Sequence, residues 1–349
     1  MKTIARMGMI VLLAIGLAAC STKDDEKPIV KVDDKPIVKV DEKPIIIKFS
    51  HVTAPGSVKG KAADKFAELV AEKTEGRVKV EVFPSSQLYG DADELDALIS
   101  GNVQMIAPSV TKMVKLDPRW QFVDMPYLFQ DEDHARKFFN SDLGKNLLAG
   151  DKLVANDILG LVFWENGFKH LMNNKKPLQS VADFKGMKFR VQAGKVLEGQ
   201  FKALGAGSAT IAFGETYAAL QQGTVDGTEN TFNNMDTQKY QEVQKYLTVS
   251  EHGRLDYGVF VNQTFWKGMP ADIRAKVEEA LKEATELEWQ LAHDENMASF
   301  ENMKNAGKVQ INVLTKEQRA ELEEAFKDVY SEFTSLITPE LIDGIRQLK

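Results

Sequence analysis

Two cations stand beside apolar, alternating runs. Arg190 lies in Asp183-Phe-Lys-Gly-Met-Lys-Phe-Arg190-Val-Gln192, and Lys169 follows Phe163-Trp-Glu-Asn-Gly-Phe168. A guanidinium offers two parallel donors that match one carboxylate, whereas an ammonium is a point charge on a flexible stem. On residue type alone, Arg190 is equally a surface arginine on a strand, and Lys169 a solvated lysine after one. Chemistry beyond binding lacks a constellation. There is no Gly-x-Ser-x-Gly elbow, no Gly-x-x-x-x-Gly-Lys loop and no His-Glu-x-x-His. Gly205-Ala-Gly207 lacks the third glycine of a dinucleotide loop, and His51, His134, His170, His252 and His293 show no metal-ligand spacing. The run Asp91-Ala-Asp93-Glu94 lacks the spaced oxygens of a calcium loop and reads as the negative start of a helix. The expectation is a protein that binds rather than turns over, without metal or cofactor.

These residues need a scaffold, and its elements alternate. Ile45–Val52, Val78–Phe83, Val103–Pro108, Ile158–Trp164, Met187–Gln192 and Tyr257–Asn262 read as strands. Between the first two, residues 57–73 have helical period, with Ala62, Ala63, Phe66, Ala67, Val70 and Ala71 on one side. Ser180-Val-Ala-Asp183 has the form of a helix cap, and Thr315-Lys-Glu-Gln318 that of a capping box. Strands alternating with helices predict an α/β fold with a largely parallel sheet. From Asp272 to about Asn305 nothing interrupts a helix whose stripe is Ile273, Val277, Ala280, Leu281, Ala284, Leu287 and Leu291. A helix of that length spans roughly 50 Å, longer than one small domain, so it is expected to cross two.

The chain has 349 residues, enough for roughly two domains, and a net charge of −7. That charge argues against a nucleic-acid partner, although an acidic protein still binds an anion where positive charge is concentrated. The first residues read as an export signal: Lys2 and Arg6, an apolar run from Met7 to Ala19, then Leu17-Ala-Ala-Cys20. Cys20 is the only cysteine and ends the apolar run, which predicts cleavage after residue 19 and a lipid on Cys20. Removal of residues 1–19 takes two positive charges away, leaving about −9 (−7 − 2). The next segment repeats with a period of eight residues, Lys27-Pro-Ile-Val-Lys-Val-Asp-Asp, Lys35-Pro-Ile-Val-Lys-Val-Asp-Glu, Lys43-Pro-Ile-Ile-Ile-Lys-Phe49, and reads as an extended stalk.

Four stretches make the reading specific. Phe163-Trp-Glu-Asn-Gly-Phe-Lys-His170, the Arg190 run, Phe213-Gly-Glu-Thr-Tyr-Ala-Ala-Leu-Gln-Gln-Gly-Thr-Val-Asp-Gly-Thr-Glu-Asn230 and Pro84-Ser-Ser-Gln-Leu-Tyr89 follow one another in an order that closely resembles the extracytoplasmic binding subunits of tripartite ATP-independent periplasmic (TRAP) transporters, the DctP family. The resemblance runs from Pro44 to the C-terminus. Phe163–His170 and Phe49-Ser-His-Val-Thr-Ala-Pro55 look like the branch that carries malate, succinate and fumarate.

The resemblance implies a two-lobed α/β fold of the periplasmic binding-protein kind (type II-like), its lobes joined by crossover strands and a long bridging helix. The expected division is 1–19 signal, 20–43 lipid-anchored linker, 44–168 with 256–292 as one lobe, and 169–255 with 293–349 as the other. It implies that Arg190 clamps a ligand carboxylate and Lys169, where many members carry arginine, takes a second. Asn230, read as ending a Gly-Thr-Glu-Asn turn, would bond the ligand and Phe213 would wall the cleft. His51, Tyr89, Trp164 and Gln192 sit at strand ends or turns of the matching segments and are candidate lining residues. Asp226 and Glu229 read as turn and interlobe polar groups. The implied partners are a small carboxylate and a membrane permease, with the protein held by lipid in the periplasm or cell envelope. Another organic acid in the same family, or a ligand-sensing role beside a receptor kinase, stays open.

Overall fold

The computed structural model describes residues 43–348. The signal, Cys20 and the first two repeats lie outside the described residues.

Two sheets carry the fold. One has the order β2-β1-β3-β10-β4, built from β1 (Ile45–Ser50), β2 (Val78–Phe83), β3 (Met105–Ile106), β4 (Ile158–Phe168) and β10 (Arg254–Asn262). The other has the order β11-β9-β5-β8-β6-β7, with β5 (His170–Asn173), β6 (Lys188–Val191), β7 (Gly207–Thr210), β8 (Gly227–Asn230), β9 (Tyr246–Val249) and β11 (Gln310–Val313). The expected largely parallel sheet is corrected to two mixed sheets. β10 runs antiparallel to β3 and β4, and β5 antiparallel to β8 and β9. The cause is the crossing itself. The chain leaves the first sheet along β4, enters the second after the single residue Lys169, and returns from β9 into β10, so outgoing and returning strands oppose one another.

Local chemistry explains the helices that frame the cleft. Ser57 caps the helix Val58–Lys73 by accepting from Gly60 N at 3.1 Å. Gly60 is obligatory there, because a Cβ would strike the Pro55 and Ala54 carbonyls. That helix buries Ala62, Ala63, Phe66, Leu69 and Val70, whereas Ala71, expected on the same side, is exposed.

The long helix is Ala271–Ala306, starting after Pro270 and stopped by Gly307 at φ +62°. At 36 residues it is about 54 Å long. Its expected stripe holds from Ile273 to Ala284 against the first sheet and then turns. Leu287 is 37% exposed, and the inner positions pass to Thr285, Glu288 and Ala292. The polar pair there meets the crossing strand: Trp164 Nε1 donates to Thr285 Oγ1 at 2.9 Å, and Glu165 N to Glu288 Oε2 at 2.9 Å. Farther along, Asn296 binds the Asn166 carbonyl and the Asn233 N–H, tying the helix to residues 166 and 233.

Gly227-Thr-Glu-Asn230, expected as a turn, is strand β8 inside the second sheet. Its glycine serves close packing, since a Cβ would meet the Met172 carbonyl and the Phe189 ring.

Candidate functional site

A cavity lies between the two sheets. Its floor and walls come from both sheets: Arg190 on β6, Asn230 at the end of β8, Tyr257 on β10, Asp91 from the loop before the helix Glu94–Ile99, and Ser109 and Lys112 from the loop and 3-10 turn after β3. Phe213, Gln192, Asn234, Val52, Thr53 and Leu255 complete the lining.

Arg190 is 2% exposed. Its Nε donates to the Ile211 carbonyl at 2.9 Å, which fixes the guanidinium plane. Among the described residues no protein group accepts a hydrogen bond from its two terminal nitrogens. A buried cation with both fork donors open is the arrangement that one carboxylate completes.

Lys112 is the second cation of the cavity. Its Nζ lies 3.2 Å from Asp91 Oδ2 and donates to the Gln192 carbonyl at 2.9 Å. Asp91 Oδ2 also accepts from Phe213 N at 2.7 Å. Burial would raise the Asp91 carboxyl, but Lys112, Arg190 and the Phe213 N–H together hold it below the usual carboxylate range.

Behind this wall sits Lys59, fully buried, donating to the Ala107 carbonyl at 2.7 Å and lying 3.8 Å from the Tyr257 ring centroid. Glu94 is buried with neither carboxyl oxygen hydrogen-bonded. Burial, and Asp91 beside it, push Glu94 up to about 8, while burial brings Lys59 down to about 8 against the field of Glu94 and Asp91. Near neutral pH this leaves Glu94 mostly uncharged and Lys59 mostly charged. Arg190, Lys112 and Lys59 against Asp91 then give an excess of two positive charges around the cavity.

The residues expected from the sequence divide. Arg190, Asn230, Phe213 and Gln192 line the cavity. Lys169 does not, and its expected role is corrected. It is fully buried at the crossing, with Nζ 3.0 Å from Asp124 Oδ1 and 2.6 Å from Glu229 Oε2. Burial opposes its charge, but Glu229 and Asp124 outweigh that and keep it firmly protonated. Glu229 is held down to about 2 in return, whereas burial lifts Asp124 to about 6. Two protein carboxylates have taken the place a ligand was expected to fill.

His51 is buried beside Phe49 and shares a hydrogen bond with Thr53 Oγ1 at 3.2 Å; burial and Lys59 hold it neutral, down to about 3. Trp164 packs on Phe49 and bonds Thr285, and Tyr89 packs on the edge of the apolar core. None of these three is among the residues lining the cavity. Nothing in the sequence singled out Lys112, Ser109, Asn234 or Tyr257. Asp91 was visible only as part of an acidic helix start, yet the helix begins later, at Glu94.

The sequence model of the bacterial extracellular solute-binding proteins, family 7, matches residues 49–336. A C4-dicarboxylate-binding periplasmic protein DctP of Rhodobacter capsulatus is 48% identical over 302 residues, covering 86% of this chain and 90% of its own. The C4-dicarboxylate-binding protein DctB of Bacillus subtilis is 39% identical, covering 87% and 86%. Among solved structures, a TRAP periplasmic solute-binding protein of Shewanella oneidensis with bound succinate superposes with a TM-score of 0.85 at 38% identity, over 88% of this chain and 99% of that one. One from Pseudomonas aeruginosa with bound L-malate does so at 0.80 and 38%, over 83% and 100%.

Proposed function

Because the chain belongs to family 7 of the bacterial extracellular solute-binding proteins, we propose that it captures a C4-dicarboxylate such as malate, succinate or fumarate in the Arg190 cavity and delivers it to the membrane permease of a TRAP transporter. The observation that carries the reading is the open guanidinium fork of Arg190, fixed at Nε, with no hydrogen bond from either terminal nitrogen among the described residues. One ligand carboxylate takes that fork. The second lies toward Lys112, which replaces Lys169 as the second cation. The two-charge positive excess around the cavity matches a dianion, and relatives named for C4-dicarboxylates support the same class.

The work of the site is capture. Binding draws the lobe carrying Asp91 and Lys112 onto the lobe carrying Arg190, Gln192 and Phe213, and the contacts of Asp91 with Phe213 N and of Lys112 with the Gln192 carbonyl close around the anion. The bodies that would move are those expected from the sequence, 44–168 with 256–292 and 169–255 with 293–349, and the two sheets, joined through Lys169 and residues 250–253, support that division. Export by residues 1–19 and a lipid on Cys20 would hold the protein outside the membrane beside its permease. A Cys20→Ser chain recovered in the soluble periplasmic fraction, with the parent chain in the membrane fraction, supports the anchor; a parent chain already soluble rejects it.

A thermal-shift screen with succinate, L-malate and fumarate tests the function. At a hundredfold excess over Kd the bound fold gains about 2.7 kcal/mol. A clear rise in Tm with these acids, and none with acetate or neutral sugars, is the expected result. No shift with any four-carbon diacid rejects the substrate class.

A further inference from the structure

The cavity holds hydrogen-bond acceptors as well as cations, and a ligand made only of carboxylates cannot satisfy them. The backbone N–H of Thr231 donates to Asn230 Oδ1 at 3.0 Å, which fixes the orientation of the Asn230 amide. That same oxygen receives Asn234 Nδ2 at 2.9 Å, so the Asn234 amide is fixed in turn. Asn234 Nδ2 also donates to Tyr257 Oη at 3.2 Å. The nitrogen is thereby fully committed, and Asn234 Oδ1 is left buried with no donor. A flip of the amide would set two oxygens against one another. Ser109 Oγ, also on the cavity wall, is buried without a partner, and so is Asn230 Nδ2. Asp91 supplies one more acceptor. Its Oδ2 takes both Lys112 and Phe213 N, and its Oδ1 accepts from no described residue.

The inventory is therefore mixed. Arg190, Lys112 and Asn230 Nδ2 call for ligand oxygens; Asn234 Oδ1 and Asp91 Oδ1 call for a ligand hydrogen. Resting on the dicarboxylate reading of this site, we infer that it is built for a 2-hydroxy dicarboxylate in preference to the unsubstituted diacid, with Asn234 as the residue that sets the preference. The ligand hydroxyl donates to the Asn234–Asp91 acceptor side while the two carboxylates take the cations. Succinate leaves Asn234 Oδ1 unpaired in a buried wall, and that is the penalty which discriminates. A 2-keto diacid fares worse still, because its carbonyl turns a third acceptor toward two.

Calorimetric titration of the full chain with four probes tests this: malate (each enantiomer), succinate, 2-methylsuccinate and oxaloacetate. 2-Methylsuccinate has nearly the shape of malate with no hydrogen to donate, so it separates hydrogen bonding from volume. One malate enantiomer should bind about tenfold tighter than succinate and 2-methylsuccinate, the size expected for one buried unpaired acceptor, with oxaloacetate weakest. In Asn234→Leu the malate-to-succinate ratio should collapse below threefold. A ratio below threefold in the parent chain, or 2-methylsuccinate equal to malate, overturns the inference and leaves the dicarboxylate reading standing. Failure of all four acids to bind overturns the reading itself. Should Asn234→Leu not fold, the ligand series on the parent chain decides alone.

Discussion

Arg190 and Lys169 are both cations buried to within 2% of full coverage, both beside strands of the second sheet, and both were expected to hold a ligand carboxylate. The structure treats them in opposite ways. Lys169 has two protein carboxylates within 3.0 Å, and its charge is spent inside the fold. Arg190 has one backbone carbonyl on Nε, and its fork is unspent. Residue type and motif do not distinguish these fates; the supply of counter-charge does. A buried cation that the protein pairs directly is architecture, whereas a buried cation whose fork it orients and leaves open keeps donors that a ligand can take.

Substitution costs the fold most at Lys169. Lys169→Met removes the shared partner of Asp124 and Glu229 and leaves the Glu229 charge without its cation. Breaking such a buried pair costs about 3–5 kcal/mol of stability, so chemical denaturation should show a large fall in the midpoint. A Lys169→Met chain as stable as its parent would mean that the pair is not structural. Arg190→Lys acts the other way. It keeps the charge and removes the fork, with an expected loss of about 2–4 kcal/mol in ligand affinity by calorimetry and little change in the melting of the free protein. Equal affinity in the two chains would take the carboxylate away from Arg190. Lys112→Met should cost about 2 kcal/mol of dicarboxylate affinity, because Asp91 then faces the ligand uncompensated.

The smallest effect comes with pH. Glu94, pushed up to about 8, and Lys59, brought down to about 8, are both protonated below that pH. As pH rises through that range the pair sheds protons and its net charge falls, so the surroundings of the cavity become less favourable to an anion. Succinate affinity should therefore fall roughly tenfold between pH 7 and 9, the scale of a charge change close to a partly screened site. A flat profile across that range would remove Lys59 and Glu94 from the electrostatics of binding.

Much of the scaffold was legible in the sequence. The capping box at Thr315, the helix from Ser57 and the long helix were visible because caps, breakers and period act locally. The four-residue strands β5, β7, β8, β9 and β11 were not, since four residues are too few to show a period, and Gly227 imitates a turn while serving a close strand contact. The stripe ending in Leu287 and Leu291 failed where the helix meets the crossing strand, whose polar groups need Thr285 and Glu288 inside. The site divides in the same way. Arg190, Gln192, Phe213 and Asn230 were legible because one continuous pair of motifs carries them. Asp91, Ser109, Lys112, Asn234 and Tyr257 come from separate segments that only the tertiary fold brings to one wall. Whether Lys169 is spent on protein or on ligand depends on Asp124, 45 residues away in sequence.

Whether the Arg190 cavity takes a dianion is decided by calorimetric titration of the full chain with succinate and, in parallel, with butyrate, which has the same chain and one carboxylate fewer. Succinate should bind in the micromolar range or tighter, about −8 kcal/mol or better, while butyrate gives no measurable heat at the same concentration. Butyrate binding as tightly as succinate would mean that the cavity does not select a dianion.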